Sequence, residues 1–320
     1  MMKLLYTACI ALVTIFLLAS LVACRGESEA PEGYADKNTG NQQATTPSPA
    51  PMPQHTPSPI PEATPQPEQT PQPTDEPTPT ELALQEQAYL EIPEYITIQG
   101  EQFSTYLTEL SLNGPLTNED IAPLRYMVNL TALWVGAMAP ANYVSDLSPL
   151  AGLTNLTELF FMGDFIEDLT PLAGLTNLTW INFSNNLIHD LTPLAGLVNL
   201  ETLQLTVSQI TDITPLAGLT SLQSLDLSWN YITDISPLAG LTNLHSLFLQ
   251  DNQISDISPL VGLTNLTQLF LNFNQISDLS PLTPVAGPSN LSTLWVNGNP
   301  VADLTVVSHV ENLISDLDFE

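Results

Sequence analysis

The stretch that decides the fold is Asp234–Ile254, DISPLAGLTNLHSLFLQDNQI, because close copies of it follow one another through most of the chain. The copy that starts at Asp168 reads DLTPLAGLTNLTWINFSNNLI, and the copy that starts at Asp256 reads DISPLVGLTNLTQLFLNFNQI. One leucine column recurs at a constant interval of 22 residues, at Leu156, Leu178, Leu200, Leu222, Leu244 and Leu266. A single unit cannot bury its own leucines, whereas stacked units can. The sequence therefore predicts a solenoid whose function lies on the surfaces that stacking leaves exposed.

Each of these leucines opens the pattern L-x-x-L-x-L-x-x-N-x-I, the signature of a leucine-rich repeat. Strand alternation then points Leu247 and Leu249 into the core and Phe248 outward. The asparagine that closes the pattern is expected to turn inward and to hydrogen-bond the backbones of adjacent coils. This position holds Asn186, Asn230, Asn252, Asn274 and Asn299, with Asp164 and Ser208 as replacements. A serine satisfies fewer backbone groups, so the sequence predicts local softness near Ser208.

The opposite side of each coil is predicted to be one short helical or 3₁₀ turn. Ser258-Pro259 is typical of a helix start, with the hydroxyl as N-cap and proline at the first helical position. Aspartates recur just before these turns, at Asp146, Asp168, Asp190, Asp212, Asp234, Asp256 and Asp278. Such a column suggests calcium, which takes oxygen ligands, but each coil offers only one carboxylate. Capping or turn bonding is the interpretation that the pattern favours.

The chain divides into five segments by composition and periodicity. Residues 1–23 have the layout of a secretory signal peptide. The stretch Leu21-Val22-Ala23-Cys24 resembles a bacterial lipobox, in which Cys24 would carry a lipid anchor. A retained transmembrane anchor is the alternative. Residues 24–79 form a Pro/Thr-rich linker predicted to be disordered and extended. An N-terminal cap is expected at 80–103, and it is predicted to contain a helix from 82 to 89 and a strand from 95 to 98. The repeats are expected at 104–300 and a C-terminal cap at 301–320.

Charge and cysteine content exclude several classes of function. The formal net charge is −30, and Arg125 is the only Lys or Arg after residue 37. Nucleic acid and anionic lipid surfaces attract basic side chains and are therefore poor partners, so membrane contact is expected only through the anchor. The two cysteines, Cys9 and Cys24, lie outside the repeats. The histidines, His189, His245 and His309, fall in different coils without a nucleophile motif. We expect no catalysis, no cofactor and no metal.

Large aromatic residues recur at outward positions of the predicted sheet. They form two groups: Trp134, Phe160 and Trp180 toward one end, and Phe248, Phe270 and Trp295 toward the other, with Phe273 nearby. Asn182, Gln204 and Asp226 separate the two groups. Exposed aromatics side by side indicate a contact surface for a protein partner. The acidic charge of the chain would favour a basic partner. Cross-strand stacking that only stabilises the sheet is one alternative, and carbohydrate binding is another. We expect a monomer.

The repeated D-[IL]-[ST]-P-L-x-G-L-x-N-L phrase, over residues 95 to 310, resembles bacterial internalin-like surface proteins, whose 22-residue repeat also occurs in the SDS22-like subclass. The resemblance implies an α/β-type leucine-rich-repeat horseshoe with a parallel concave sheet and 3₁₀ turns on its convex side. It also implies a protein-binding role on the extracellular face of the cell membrane. Two features of the family are missing from this sequence: an Ig-like module after the repeats and a C-terminal LPxTG-type wall signal.

Overall fold

The computed structural model describes residues 92–136, 143–287 and 290–317, which form a leucine-rich-repeat solenoid. The predicted signal peptide, Cys24, the proline-rich linker and the predicted helix at 82–89 lie outside these residues. So does most of the apolar insertion after Gly136. No helix in the described ranges is both long and apolar enough to cross a membrane.

Ten short strands form one parallel sheet, in which each strand pairs with its neighbours in chain order. They are β3 (Glu109–Asn113), β4 (Ala132–Gly136), β5 (Glu158–Met162), β6 (Trp180–Asn182), β7 (Thr202–Gln204), β8 (Ser224–Asp226), β9 (Ser246–Phe248), β10 (Gln268–Phe270), β11 (Thr293–Trp295) and β12 (Asn312–Ile314). Leu247 pairs with Leu225 on one side and Leu269 on the other, and all three are fully buried. The constant repeat length thus keeps equivalent residues of successive coils in register.

The convex side consists of single turns, as the Pro and Gly spacing predicts. One α-helical turn, α1 (Asn118–Ile121), has a capping box between Thr117 and Asp120. The 3₁₀ helices are Ala122–Tyr126, Ser148–Leu150, Thr170–Leu172, Thr192–Leu194, Thr214–Gly218, Ser236–Gly240, Ser258–Gly262, Ser280–Leu282 and Thr305–Val307. Because these turns are so short, the convex wall is thin and the leucine core lies directly behind the sheet.

The predicted capping by the serine hydroxyl is wrong. The residue before the turn is Ile257, whose side chain cannot cap, and the acceptor is Asp256 instead. The Ser258 N–H donates to Oδ1 of Asp256 at 2.8 Å, and its hydroxyl donates to Oδ2 at 3.0 Å. Equivalent 2.8 Å backbone bonds reach Asp146, Asp168, Asp190, Asp212, Asp234 and Asp278. The aspartate column therefore forms turns, and these bonds hold the pKa of Asp256 below its usual value.

The core is one continuous stack of aliphatic side chains. The leucines of the 22-residue column, Leu156, Leu178, Leu200, Leu222, Leu244 and Leu266, are all fully buried. Phe161 and Phe183 replace a leucine in two adjacent coils and pack edge to face, with centroids 5.7 Å apart. Stacking neighbours buries surface that no single coil could bury alone, which is the physical basis of the solenoid.

The inward asparagines form the predicted ladder. Asn252 accepts from the Ile232 N–H at 3.0 Å and donates to the carbonyls of Leu227 and Leu249 at 3.0 and 3.1 Å. Asn186, Asn230, Asn274 and Asn299 make equivalent bonds. Within the described residues, the buried hydroxyl of Ser208 has no hydrogen-bond partner, and no side chain accepts from the Ile188 N–H. The ladder is therefore interrupted at Ser208, the coil for which the sequence predicts local softness.

Both ends of the sheet are covered. At the N-terminal end, β1 (Tyr95–Ile98) and β2 (Glu101–Ser104) form an antiparallel hairpin that buries Ile96 and Ile98 against the core. The strand expected at 95–98 is therefore present. At the C-terminal end, β12 extends the parallel sheet beyond residue 300, and Val307 and Val310 are buried behind it.

Candidate binding site on the concave sheet

One row of side chains runs along the middle of the concave face. It comprises Ser111, Trp134, Phe160, Asn182, Gln204, Asp226, Phe248, Phe270, Trp295 and Ile314, each paired in register with the next. We call this the central row. Up to Trp295 it follows the order that the repeat spacing predicts, and β12 adds Ile314. The row brings the predicted aromatic residues of consecutive coils next to one another.

The N-terminal cluster consists of Trp134, Phe160 and Trp180. Trp134 and Phe160 are register neighbours in the central row, whereas Trp180 lies opposite Glu158 at the start of β6. The rings of Phe160 and Trp180 stack almost in parallel, with an interplanar angle of 6° and centroids 6.1 Å apart. Gly136 leaves room for this arrangement, since a Cβ there would approach Cε1 of Phe160 to 3.0 Å. The cluster is a half-buried apolar surface at one end of the sheet.

The C-terminal cluster consists of Phe248, Phe270 and Trp295. Phe248 and Phe270 stack with centroids 4.7 Å apart, and Phe270 and Trp295 are tilted by 57° with centroids 5.0 Å apart. Trp295 is the most accessible member, with 37% of its surface exposed. These contacts would strengthen the sheet, and they also hold three rings in fixed positions facing the concave side. Both consequences follow from the same geometry.

Polar side chains separate the two clusters, and their polar groups are engaged in hydrogen bonds within the protein. Asn182 donates from Nδ2 to Oε1 of Gln204 at 2.7 Å and accepts from the Ser184 N–H at 3.0 Å. Asn182 is only 6% exposed, so it is more buried than an outward-pointing residue is expected to be. Asp226 accepts from the N–H of Ser228 at 3.0 Å and from its hydroxyl. Burial raises the pKa of Asp226, against the opposing effect of these bonds.

A second row lies at the rim of the concave face, and sequence reasoning singled out only Phe273 within it. The residue before each ladder position has a positive φ: Gly163, Asn185, Val207, Trp229, Asp251, Phe273 and Gly298. We call it the left-handed row. Glycine and asparagine favour this conformation, whereas valine, tryptophan and phenylalanine rarely adopt it. The glycines and Asn185 are the sequence signal that could have revealed the positive φ of this row. Once that backbone conformation is known, the row's other side chains can be placed at the rim.

An exposed apolar pair occurs away from the concave sheet, beside the insertion after Gly136. The rings of Tyr143 and Phe165 stack with centroids 6.1 Å apart, and both side chains are about half exposed. A shallow cleft next to Phe165 is lined by Glu167, Asp168 and His189 among other residues. His189 lies 3.8 Å from Glu167, which is an exposed contact of little energetic weight.

The remaining histidines lie apart from one another and from this cleft. His245 is exposed in the coil of β9, and the His309 ring donates to the carbonyl of Ala286. In the described ranges, no group of three or more His, Cys, Asp or Glu side chains is placed to hold a metal ion.

The repeats match a family model described as leucine-rich repeats in two copies, over residues 176–218, 220–261 and 242–284. Among solved structures, the chain is similar to internalin C2 of Listeria monocytogenes, with 40% identity and a TM-score of 0.55 over 61% of this chain and 84% of that one. A leucine-rich-repeat protein of Leptospira interrogans is 21% identical, with a TM-score of 0.51 over 61% and 56% of the two chains. A plant peptide hormone receptor in complex with its peptide is 23% identical, with a TM-score of 0.51 over 63% and 37%. The last two likenesses concern the fold. No curated protein matches the sequence.

Proposed function

Since the chain belongs to the internalin-like leucine-rich-repeat proteins of bacteria, we propose that it is a non-catalytic cell-surface module that binds a protein partner on its concave face. The partner would contact the N-terminal and C-terminal clusters together. The family supports a role in protein interaction, and the arrangement of the clusters supports the choice of face. The module would act as a monomer, because a net charge of −30 opposes association with a second copy.

The observation that carries this proposal is the presence of two rigid aromatic clusters on one face. Interface energy concentrates in a few anchors, and Trp and Tyr are over-represented among them. Rings already fixed by stacking lose little further freedom when a partner packs against them, which favours binding. Phe160 and Phe248 are four coils apart, or about 19 Å at strand spacing, so one folded domain can span both clusters.

Charge supports a basic partner. Arg125 is the only Lys or Arg in the described ranges, and its guanidinium lies over the ring of Tyr126 on the convex side. The concave face carries Glu109, Glu158, Asp226 and Asp251 with no positive side chain among them. A surface of one sign steers an oppositely charged partner and raises its association rate. The association rate should therefore fall as salt is added.

The location proposed for the module is the outer face of the cell membrane. The support comes from the sequence alone: an apolar N-terminal stretch followed by Leu21-Val22-Ala23-Cys24, and then a long proline-rich segment that would act as a stalk. Metabolic labelling with a tagged fatty acid tests the anchor. We expect the full chain to be labelled and the Cys24→Ser variant to carry no label. Labelling of the Cys24→Ser variant would contradict lipidation at Cys24.

The binding face is tested with Phe160→Ala/Phe270→Ala in the full chain, used to capture partners from surface extracts. A matched control is Phe165→Ala/Tyr231→Ala, which removes two exposed aromatic rings that lie outside the strands and outside both clusters. We expect capture to fall at least tenfold for the first variant and less than twofold for the control. Far-UV spectra and thermal unfolding must first show that both variants are folded. Equal capture by both folded variants would contradict the proposal.

Carbohydrate binding is the second candidate, favoured by the nearly parallel, half-buried rings of Phe160 and Trp180, on which a sugar ring can stack. Purified peptidoglycan and polysaccharide are the probes. Binding that Trp134→Ala or Trp295→Ala abolishes would favour this candidate. Absence of glycan binding by the unaltered chain would remove it.

A further inference from the structure

Asp251 differs from the other acidic side chains of the concave face. It belongs to the left-handed row, and its N–H donates to the carbonyl of Asn272 at 3.0 Å. Within the described residues, its carboxylate has neither a hydrogen-bond donor nor an ion-pair partner. The carboxylate of Asp226, by contrast, is held by Ser228. Asp251 is nevertheless only partly exposed, so it is a charge without a partner and with limited access to water.

Aromatic residues occupy the same position on both adjacent coils. Trp229 precedes Asp251 in the left-handed row and Phe273 follows it, each one strand spacing, or about 4.8 Å, away along the solenoid. Phe273 is 50% exposed, and Gly298 allows its ring to lie over the next coil, because a Cβ at that glycine would collide with the ring. The carboxylate therefore lies between two aromatic positions at the rim.

A row of unsatisfied acceptors lies beside these residues. The side-chain oxygens of Gln250, Asn272 and Asn297 are buried and, within the described part of the chain, have no hydrogen-bond partner. The three residues occupy equivalent positions on consecutive coils, where their carbonyls accept from Trp229, Asp251 and Phe273. Asn272 is only 7% exposed. Buried acceptors that lack donors are unfavourable, so a group that brings N–H donors to them would be stabilised at this rim.

We propose that this rim site binds a lysine or arginine side chain of the protein partner. Asp251 would neutralise its charge, Trp229 and Phe273 would flank it, and the side chains of Gln250 and Asn272 would rotate to present their amide oxygens to its remaining N–H groups. The proposal rests on the proposed function and identifies one contact within it. We call Trp229, Gln250, Asp251, Asn272 and Phe273 the rim site.

The chemistry of the rim site selects a cation. An ammonium or guanidinium group has several donors and no acceptor, which matches the carboxylate of Asp251 and the unbonded amide oxygens of Gln250 and Asn272. Aromatic faces attract cations, and this attraction grows where water is excluded. Burial raises the pKa of Asp251 to about 6, in keeping with a carboxylate that has lost solvent without gaining a partner. A bound cation would reverse that loss.

The test uses two synthetic peptides of twelve residues in which lysine and serine alternate, one with free lysines and one with every lysine acetylated. Their binding to the full chain is followed by fluorescence polarisation at low ionic strength. Asp251→Asn removes the charge of the rim site. Asp256→Asn is the matched control, since it makes the same charge change five residues later, at a turn aspartate outside the rim site.

We expect the free-lysine peptide to bind and the acetylated peptide to bind at least tenfold more weakly. Asp251→Asn should weaken binding of the free-lysine peptide at least fivefold, whereas Asp256→Asn should change it less than twofold. Phe273→Ala should weaken binding several-fold in a folded protein. Equal weakening by the two Asn variants would mean diffuse attraction only and would overturn the rim site.

The same variants separate this inference from the proposed function. If Asp251→Asn still captures the protein partner at full strength while Phe160→Ala/Phe270→Ala does not, the concave face binds but the rim site does not hold a cation. Loss of capture with both variants supports both statements. Binding of an N-acetylglucosamine hexamer that Asp251→Asn leaves unchanged, together with no binding of the lysine peptide, would assign the face to glycans and overturn the rim site.

Discussion

Two coils with nearly identical backbones show different uses of the same repeat. In one, Val207 and Ser208 occupy the left-handed and ladder positions; in the other, Asp251 and Asn252 do, and φ is 56° and 55° at the two left-handed residues. The first coil has a gap in its ladder, because the Ser208 hydroxyl has no partner among the described residues. The second has a complete ladder, but the carboxylate at its rim has no partner within the described part of the chain.

The difference separates positions that stabilise from positions that recognise. The ladder residue turns inward and bonds its own coil to the preceding one, so its identity controls local stability. The left-handed residue projects at the rim, and its positive φ is the same at Val207, where the ladder is interrupted, as at Asp251. A side chain there can therefore vary, even to valine or tryptophan, without changing the fold. This freedom is what allows the rim to become a binding surface.

The largest effect is expected from comparing Asn252→Ala with Ser208→Ala. Asn252→Ala would leave the Ile232 N–H and the carbonyls of Leu227 and Leu249 without their bonds to this side chain. Each buried group left unsatisfied costs about 1–3 kcal/mol, so we expect a loss of about 2–4 kcal/mol after relaxation. Ser208→Ala removes a hydroxyl that bonds to nothing and should stay within about 0.5 kcal/mol of the parent. Urea unfolding followed by circular dichroism measures both, and similar losses would contradict the ladder account.

Repair of the gap should have an intermediate effect of the opposite sign. In Ser208→Asn, the new amide can accept from the Ile188 N–H and donate to the carbonyls of Phe183 and Leu205, as Asn230 does one coil later. We expect a gain of about 1 kcal/mol. Hydrogen exchange at the Ile188 amide is the sharper measurement, and it should slow at least tenfold. Unchanged exchange at Ile188 would show that the parent already satisfies this group.

The smallest expected effect is the pH-dependent stabilisation of Asp251→Asn. The folded-state pKa of Asp251 is about 6, above the unfolded value of about 3.9, so the folded state favours the protonated form. The parent is therefore penalised above pH 6, and the penalty vanishes as the pH falls below the unfolded pKa. Because Asp251 is half exposed, the effect is under about 1 kcal/mol.

We accordingly expect a slightly higher Tm for Asp251→Asn than for the parent at pH 7.5, and equal Tm values at pH 4. Asp226, the nearest concave-face acid on β8, is present in both proteins, so its own titration cancels in the difference. A Tm difference that grows toward acidic pH would have the wrong sign. The same substitution is expected to weaken binding at the rim site. At this one residue, the aspartate would therefore favour binding at a small cost in stability.

The register of the fold follows from the sequence because the interval between leucines is constant. Leu203, Leu225 and Leu247 can only align as neighbours, and once they are inside, Gln204, Asp226 and Phe248 must face outward. The sequence also indicates that Ser208 satisfies fewer backbone groups than asparagine, but the complete loss of its hydrogen bonds appears only in the structure. The group that caps each turn could not be predicted from the sequence. A Ser-Pro pair resembles a helix start in either case, whether the serine hydroxyl or the aspartate two residues before it supplies the acceptor.

The rim of the site escaped sequence reasoning for a different reason. Trp229 and Phe273 are poor formers of the left-handed conformation, so their type gives no local sign that they adopt it. Only alignment with Gly163, Asn185 and Gly298 reveals the common backbone. The burial of Asn182 was also unpredictable, since it depends on the hydrogen bond that its amide makes to Gln204 on the next strand.

The central claim is that the concave face holds the partner, and side-chain footprinting of the full chain with and without its captured partner tests it most directly. Hydroxyl-radical oxidation would be measured at Trp134, Phe270 and Trp295, with Phe165 and Tyr231 as references away from the sheet. The account predicts that the partner lowers oxidation of the first three residues at least threefold and leaves the two references unchanged. Protection of Phe165 and Tyr231, with Trp295 oxidised at its free rate, would contradict it.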